Sequence, residues 1–180
     1  MYIITGNKGK LLEYQTFFPE IKPIEMDLPE IQELDLEKLQ KAKINEALKH
    51  LSGDFLIDDV SFYLDCITGL PGPMIKWFLQ SIKREGLLEM ATKYENFGAT
   101  AKCTISYVKN ANEVYHFEGE VRGNLVPPRG EEGFGFDGIF KPDSLDKTYG
   151  EMTKIEKNKY SHRGLALAKL SEFLNVKKFY

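Results

Sequence analysis

The sequence predicts a mixed α/β fold, on three observations. Short apolar runs that end in Gly or Asp alternate with stretches of helical periodicity in the first third of the chain. Two β-rich segments follow, joined by a short polar connection, as in a hairpin. A capped amphipathic segment closes the chain. Strands that alternate with helices before a hairpin fit neither an all-α nor an all-β architecture. The length, 180 residues, favours a single domain over 1–180, with two small lobes as the next possibility.

Each element has its own reason. Residues 1–5 are an apolar run ending at Gly6-Asn7, which reads as a buried strand entering a loop. Residues 9–18 place Leu11, Leu12, Gln15 and Phe18 near helical spacing, and Pro19 stops them. Residues 21–26 read as a second strand. Leu36, Leu39, Ala42, Ala47, Leu48 and Leu51 recur at steps of three and four, predicting a helix over 36–51 that ends at Gly53. Phe55-Leu56-Ile57 reads as a strand that exits at Asp58-Asp59. Residues 69–73, Gly-Leu-Pro-Gly-Pro, are loop chemistry, and helical spacing resumes over 74–83. Residues 101–108 and 114–121 form the hairpin, with 109–113 as its turn. Residues 126–149 are rich in Gly and Pro and read as irregular. Ser161 caps a helix over 162–174.

Composition excludes several classes. Hydrophobic residues make up 42% and charged residues 28%, the balance of a globular chain and not of a disordered one. The net charge of −3 supplies no basic footprint for duplex nucleic acid. The longest run without Asp, Glu, Lys or Arg, residues 66–75, is too short to span a bilayer, and the first residues do not form a secretory signal. Cys66 and Cys103 show neither metal-ligand nor redox spacing, so a reduced, cytoplasmic compartment is expected, with no partner of nucleic acid or membrane.

Some motifs fail on context. Residues 133–138 match GxGxxG, yet no strand precedes them and no helix follows, so they do not form a dinucleotide fingerprint. Residues 6–11 look like a truncated P-loop, but Leu11 stands where a magnesium-binding hydroxyl belongs. His50, His116 and His162 show no zinc spacing.

Three features remain. A strand–Gly loop–helix junction at 5–10 presents amides to an anion, with Lys8 and Lys10 beside it; a surface turn with solvated lysines is the alternative. Glu30, Glu33, Asp58 and Asp59 offer oxygen ligands for Mg²⁺ at strand or loop ends; the alternative is a strand exit with one solvated Asp and one cap. Lys154, Lys157, Lys159, His162 and Arg163 form a basic cluster near the last helix; the alternative is a cap with a solvated first turn.

Taken in order, Thr5-Gly6-Asn7-Lys8-Gly9-Lys10, Asp27-Leu28-Pro29-Glu30, Asp58-Asp59, residues 69–78, Gly133-Phe134-Gly135-Phe136-Asp137, Glu156-Lys157-Asn158 and Ser161-His162-Arg163 resemble the inosine triphosphate pyrophosphatase family, the non-canonical purine NTP pyrophosphatases. The resemblance covers nearly the whole chain. It implies an elongated mixed β-sheet flanked by helices, in two lobes with a central nucleotide-binding cleft. It also implies a homodimer that uses Mg²⁺ to hydrolyse ITP, dITP and XTP to the monophosphate and pyrophosphate, cleansing the nucleotide pool.

Carried over residue by residue, Thr5, Gly6, Asn7, Lys8, Gly9 and Lys10 would wrap the triphosphate, and Lys41 would reach it from the second helix. Glu30 and Asp59 would hold the metal, and Asp59 would activate water. Phe134 would stack on the purine, with Gly135, Phe136 and Asp137 continuing that wall. Lys157, His162 and Arg163 would hydrogen-bond the base. Two residues depart from the family pattern: Val60 stands where a hydroxyl is usual, leaving only its backbone N–H, and Gly138 stands where Pro is usual. Two other readings stay in view: a pyrophosphatase for modified pyrimidine or methylated nucleotides, and a nucleotide-binding regulator without turnover.

Overall fold

The computed structural model describes residues 1–177. The chain runs β1 (Tyr2–Ile4), α1 (Lys8–Gln15), β2 (Lys22–Ile24), α2 (Leu36–Ala47), β3 (Phe55–Leu64), β4 (Pro71–Gly72), α3 (Ile75–Ser81), α4 (Lys83–Lys93), β5 (Gly98–Asn110), β6 (Glu113–Leu125), β7 (Phe140–Pro142), α5 (Lys154–Tyr160) and α6 (His162–Lys177). One mixed sheet of seven strands has the order β2-β1-β3-β5-β6-β7, with β4 paired to β3. The β2-β1-β3 end is parallel, and the β3-β5, β5-β6, β6-β7 and β3-β4 pairs are antiparallel.

The mixed α/β fold expected from the sequence is therefore present, with differences that have physical causes. The strand begun at Phe55 does not exit at Asp58-Asp59. It continues to Leu64, because every residue from Phe55 to Leu64 pairs in register with β5, Asp58 opposite Ile105 and Asp59 opposite Thr104. Ladder pairing overrides the poor strand preference of aspartate. The hairpin turn is shorter than residues 109–113, since Lys109 and Asn110 remain in β5. The region expected to be irregular contains β7 and a 3₁₀ turn at Asp137–Ile139. The α4 and α5 helices were not foreseen. Leu87 and Ala91 give α4 a buried stripe, and Thr153 with Glu156 forms a capping box for α5.

The long strands β3 and β5 run through two packed regions. At the β1 end, Tyr14 of α1 and Ala166, Leu167 and Leu170 of α6 cover one face of the sheet, against Ile3, Leu56, Cys103 and Ile105. Ile44 and Ala47 of α2 cover the other face, against Ile4, Phe55, Ile57 and Val108. At the far end, Phe62, Leu64, Ala99 and Ala101 pack on Ile75, Leu87 and Ala91 and on the aromatic group Phe136, Phe140 and Tyr149. The middle of β3, at Asp58–Asp59, lies where these regions meet. Among the described residues, no helix is long and apolar enough to cross a membrane.

A glycine sets the seat of α6. A Cβ on Gly119 of β6 would lie 2.0 Å from the His162 carbonyl oxygen and 2.7 Å from the Ala166 nitrogen. The first turn of α6, which carries His162 and Arg163, thus rests on bare backbone. Gly119→Ala should cost about 1–3 kcal/mol through backbone displacement, a fall of several degrees in Tm by calorimetry. An unchanged Tm would mean that α6 does not depend on this close approach.

Candidate active site

The chain forms a cleft of about 790 Å³ between the two packed regions, lined by the β1–α1 loop, Glu30, Lys43, the middle of β3, Lys76 of α3, the Phe134–Asp137 loop, and Lys157, His162 and Arg163. Strand geometry decides what Asp58 and Asp59 can do there. Successive side chains of a strand point to opposite faces. Asp58 therefore turns to the α1/α6 side and Asp59 to the α2 side.

Asp58 is fully enclosed by partners. Its carboxylate accepts from Arg163 Nε at 2.7 Å and Nη2 at 3.1 Å, from the Tyr14 hydroxyl at 3.0 Å and from the Cys103 thiol, and it pairs with Lys10 Nζ at 2.7 Å. Burial alone would raise its pKa, but Arg163 and Lys10 outweigh that and hold the carboxyl far below the usual range. Arg163, 1% exposed, also donates to Glu13. Glu13 in turn accepts from Lys157 at 2.7 Å, and Lys157 donates to Asp137 at 2.7 Å. A chain of buried charges thus joins β3, α1, α5, α6 and the Phe134–Asp137 loop.

Asp59 has a different setting. Its Oδ1 pairs with Lys43 Nζ, and its Oδ2 accepts from Gln40 Nε2 at 2.8 Å. Burial raises its pKa, and Lys43 and Lys10 only partly oppose that. Glu30 also reaches Lys43 Nζ, at 3.3 Å, so two carboxylates from separate segments converge on one ammonium. The reading of Asp58 and Asp59 as a strand exit is corrected on this geometry: β3 runs through both, the pleat sends their side chains to opposite faces, and each has its own cation.

The other expected residues fall into place unequally. The Asn7 side chain caps α1 by accepting from the Lys10 N–H, and Thr5 Oγ1 accepts from the Asn7 N–H. Gly6 has open space around its Cα, and Gly9 lies under the Phe134 ring, where a Cβ would come within 2.6 Å. Lys10 is drawn inward to Asp58, whereas Lys8 is exposed and does not line the cleft. Lys41 is also exposed and outside the cleft. Lys43, two residues on, is the α2 lysine that enters it. That correction follows helix geometry, because Leu39, Lys43 and Ala47 share one buried stripe, and a lysine on such a stripe was the signal to follow. Glu33 stays outside, accepting from the Leu34 and Asp35 N–H groups ahead of α2.

Phe134 lies 4.9 Å from Lys157 Nζ and 5.8 Å from the Arg163 guanidinium carbon. Gly135 turns the loop with φ +64°, and Phe136 stacks on Phe62 at 4.1 Å within the core. Asp137 fixes the loop by accepting the Phe134 N–H at 2.7 Å. Val60 is half-buried, packs against both regions and lines the cleft, presenting a methyl surface there in place of a hydroxyl. Gly138 approaches the Arg129 and Gly130 carbonyls. His162 is 2% exposed, and its Nδ1 has no hydrogen-bond partner. Burial, Arg163 and Lys157 push its pKa well down, so the imidazole is neutral.

Cations, helix-start amides, an aromatic ring and buried polar groups line one cleft, a set that suits a ligand with both an anionic part and a flat, polar part. The class so defined is that of α/β nucleotide-binding proteins. Within it the chain belongs to the Ham1 family, which residues 1–173 match. It is 40% identical to an inosine triphosphate pyrophosphatase of Schizosaccharomyces pombe, over 97% of this chain and 95% of that one. It is 42% identical to one of Pyricularia oryzae, over 93% and 89%. Among solved structures it resembles the Ham1 protein of Staphylococcus aureus, with TM-score 0.82, 27% identity and 98% of each chain covered. It also resembles the nucleoside-triphosphatase, dITP/XTP pyrophosphatase, of Mycobacterium abscessus, with TM-score 0.72, 26% identity and coverage of 94% and 97%.

The neutral His162 has a consequence for stability. Its folded pKa lies below the ordinary 6.5, so above pH 6.5 both folded and unfolded chains carry it neutral. Below pH 6.5 the unfolded chain takes up a proton that the folded chain refuses, and stability falls by about 1.4 kcal/mol per pH unit. Urea unfolding at pH 7 and pH 5.5 should show this loss in the wild type and a smaller one in His162→Asn. Equal losses would mean that His162 is protonated in the fold.

Proposed function

We propose that the chain is a nucleoside triphosphate pyrophosphatase that hydrolyses non-canonical purine nucleotides, ITP foremost, with XTP and dITP in its range and Mg²⁺ as its metal. The observation that carries this reading is Asp59. It is a carboxylate of raised pKa, held at both oxygens and facing a cleft that Phe134 and His162 also line. The close relatives named for ITP hydrolysis support the substrate class.

The donor set fits the metal. Mg²⁺ is often held by one or two carboxylates with water and substrate phosphates completing its shell. Glu30 and Asp59, which meet at Lys43, supply two. Among the described residues no cluster of three or more His, Cys, Asp or Glu side chains could hold an ion, so water and substrate would provide the remainder. When bound, Mg²⁺ supplies positive charge that neutralises the triphosphate.

The chain's own residues do the rest. Lys10, Lys43 and the amides at the start of α1 bind the phosphates. Asp59 orients a water molecule and accepts its proton, a role that suits a carboxylate whose pKa burial raises. The water oxygen bonds to the α-phosphorus, the bond from that phosphorus to the bridging oxygen breaks, and pyrophosphate leaves with the electron pair. Asp58 cannot share this work, because its lone pairs are committed to Arg163, Lys10, Tyr14 and Cys103. Phe134 stacks on the base. His162, which lines the cleft with Lys157 and Arg163, answers the 6-oxo group of hypoxanthine or xanthine. The 6-amino group of adenine would leave such donors unpaired in a buried site, the stronger form of rejection.

Turnover on ITP, XTP, GTP and ATP, read as pyrophosphate release, tests the reading. ITP and XTP should lead, EDTA should abolish activity and Mg²⁺ restore it. Asp59→Asn should lower kcat by at least ~10²-fold with nucleotide binding kept. Full turnover in EDTA would remove the metal from the account, and wild-type kcat in Asp59→Asn would remove Asp59.

A further inference from the structure

Outside the cleft, on the α2 side of the sheet, lies a small cavity lined by Leu36, Glu37, Gln40, Thr104, His116 and Glu118. A line of hydrogen bonds leads from it to Asp59. Ser106 and His116 are directly paired residues of β5 and β6, so their side chains share a face. Ser106 Oγ lies 2.9 Å from His116 Nδ1 and donates to Gln40 Oε1. Gln40 Nε2 donates to Asp59 Oδ2 at 2.8 Å and lies 3.4 Å from the Thr104 carbonyl oxygen.

The direction of this line is fixed by chemistry. An ionised carboxylate only accepts, so Gln40 must turn its amide N–H to Asp59. Its carbonyl oxygen then faces Ser106, whose hydroxyl must donate. The Ser106 oxygen is left to accept from His116 Nδ1–H. Reversing any one member sets two acceptors or two donors against each other. Gln40 is 2% exposed, and it lies on the side of α2 that also buries Leu39, Ile44 and Ala47. An apolar side chain there would avoid the desolvation that a buried amide incurs. Lys43 holds one oxygen of Asp59, but a single contact leaves the carboxylate plane free to rotate. Gln40 removes that freedom.

We propose that Gln40, oriented by Ser106 and His116, is a positioning residue that locks the Asp59 carboxylate in the plane from which it takes the proton of the attacking water. This rests on the role of Asp59 proposed above. Groups that orient an active-site ligand typically cost about 10- to 100-fold in activity when removed.

The test compares Gln40→Met, Ser106→Ala, the double variant and Asp59→Asn on ITP. Gln40→Met preserves volume and loses the amide. Its kcat should fall about 10- to 100-fold with KM within about twofold and Tm within a few degrees. Ser106→Ala should lower kcat less, and the double variant should be no slower than Gln40→Met, since both act through one contact. A crystal structure of Gln40→Met should show the Asp59 carboxylate turned or in two conformers. Wild-type kcat in Gln40→Met with Asp59→Asn inactive would overturn the positioning role and leave the function standing. Losses that multiply in the double variant, or an effect confined to KM, would overturn it as well. Wild-type kcat in Asp59→Asn would instead overturn the function reading on which it rests. If Gln40→Met does not fold, Ser106→Ala decides: a lowered kcat at unchanged KM supports the role, and wild-type kcat overturns it.

Discussion

The buried pairing of Asp58 with Arg163 is the interaction on which the rest of the site depends. Each group taken from water alone would be costly, and removing one partner of such a pair typically costs about 3–5 kcal/mol. Here the guanidinium makes two bonds to Asp58 and one to Glu13, so its charge is shared by two carboxylates. Glu13 then fixes Lys157, and Lys157 fixes Asp137. The first turn of α6, the β1–α1 loop and the Phe134–Asp137 loop are thereby tied to the centre of the sheet. His162 lies within that frame because its neighbour Arg163 is anchored and Gly119 lets the helix come close.

Strand alternation turns one dipeptide into two devices. Asp58 and Asp59 are adjacent in sequence, yet the pleat sends one into a saturated set of donors and the other to the cleft beside Lys43. The environments push their pKa values apart, down for Asp58 and up for Asp59. That separation distinguishes a structural anion from a group able to move a proton.

The first half of the fold was legible because its signals are local. Apolar runs ending at Gly6 and the three-to-four spacing of Leu36, Leu39 and Ala47 depend on neighbours in sequence. The blocks that carry the family resemblance were legible for the same reason, and the family match agrees with them. The extent of β3 was not legible, since Asp58 and Asp59 are poor strand formers held by a register that only the hairpin supplies. Lys43 was legible in principle, as a charge at buried helical spacing, whereas the family resemblance points to Lys41. The α5 helix had its capping box in plain sequence. The Gln40–Ser106–His116 line had no local signal, because its members come from three elements and Ser106 lies 66 residues from Gln40.

The central claim is that the two aspartates divide structure from chemistry, and thermal unfolding of two single variants tests it most directly. Asp58→Asn strips the charge that answers Arg163 and Lys10 inside the protein and should lower Tm steeply. Asp59→Asn removes a carboxylate that burial already disfavours, leaves Lys43 paired with Glu30, and should hold Tm near or above the wild-type value. Equal falls in Tm, or a larger fall in Asp59→Asn, would contradict the division.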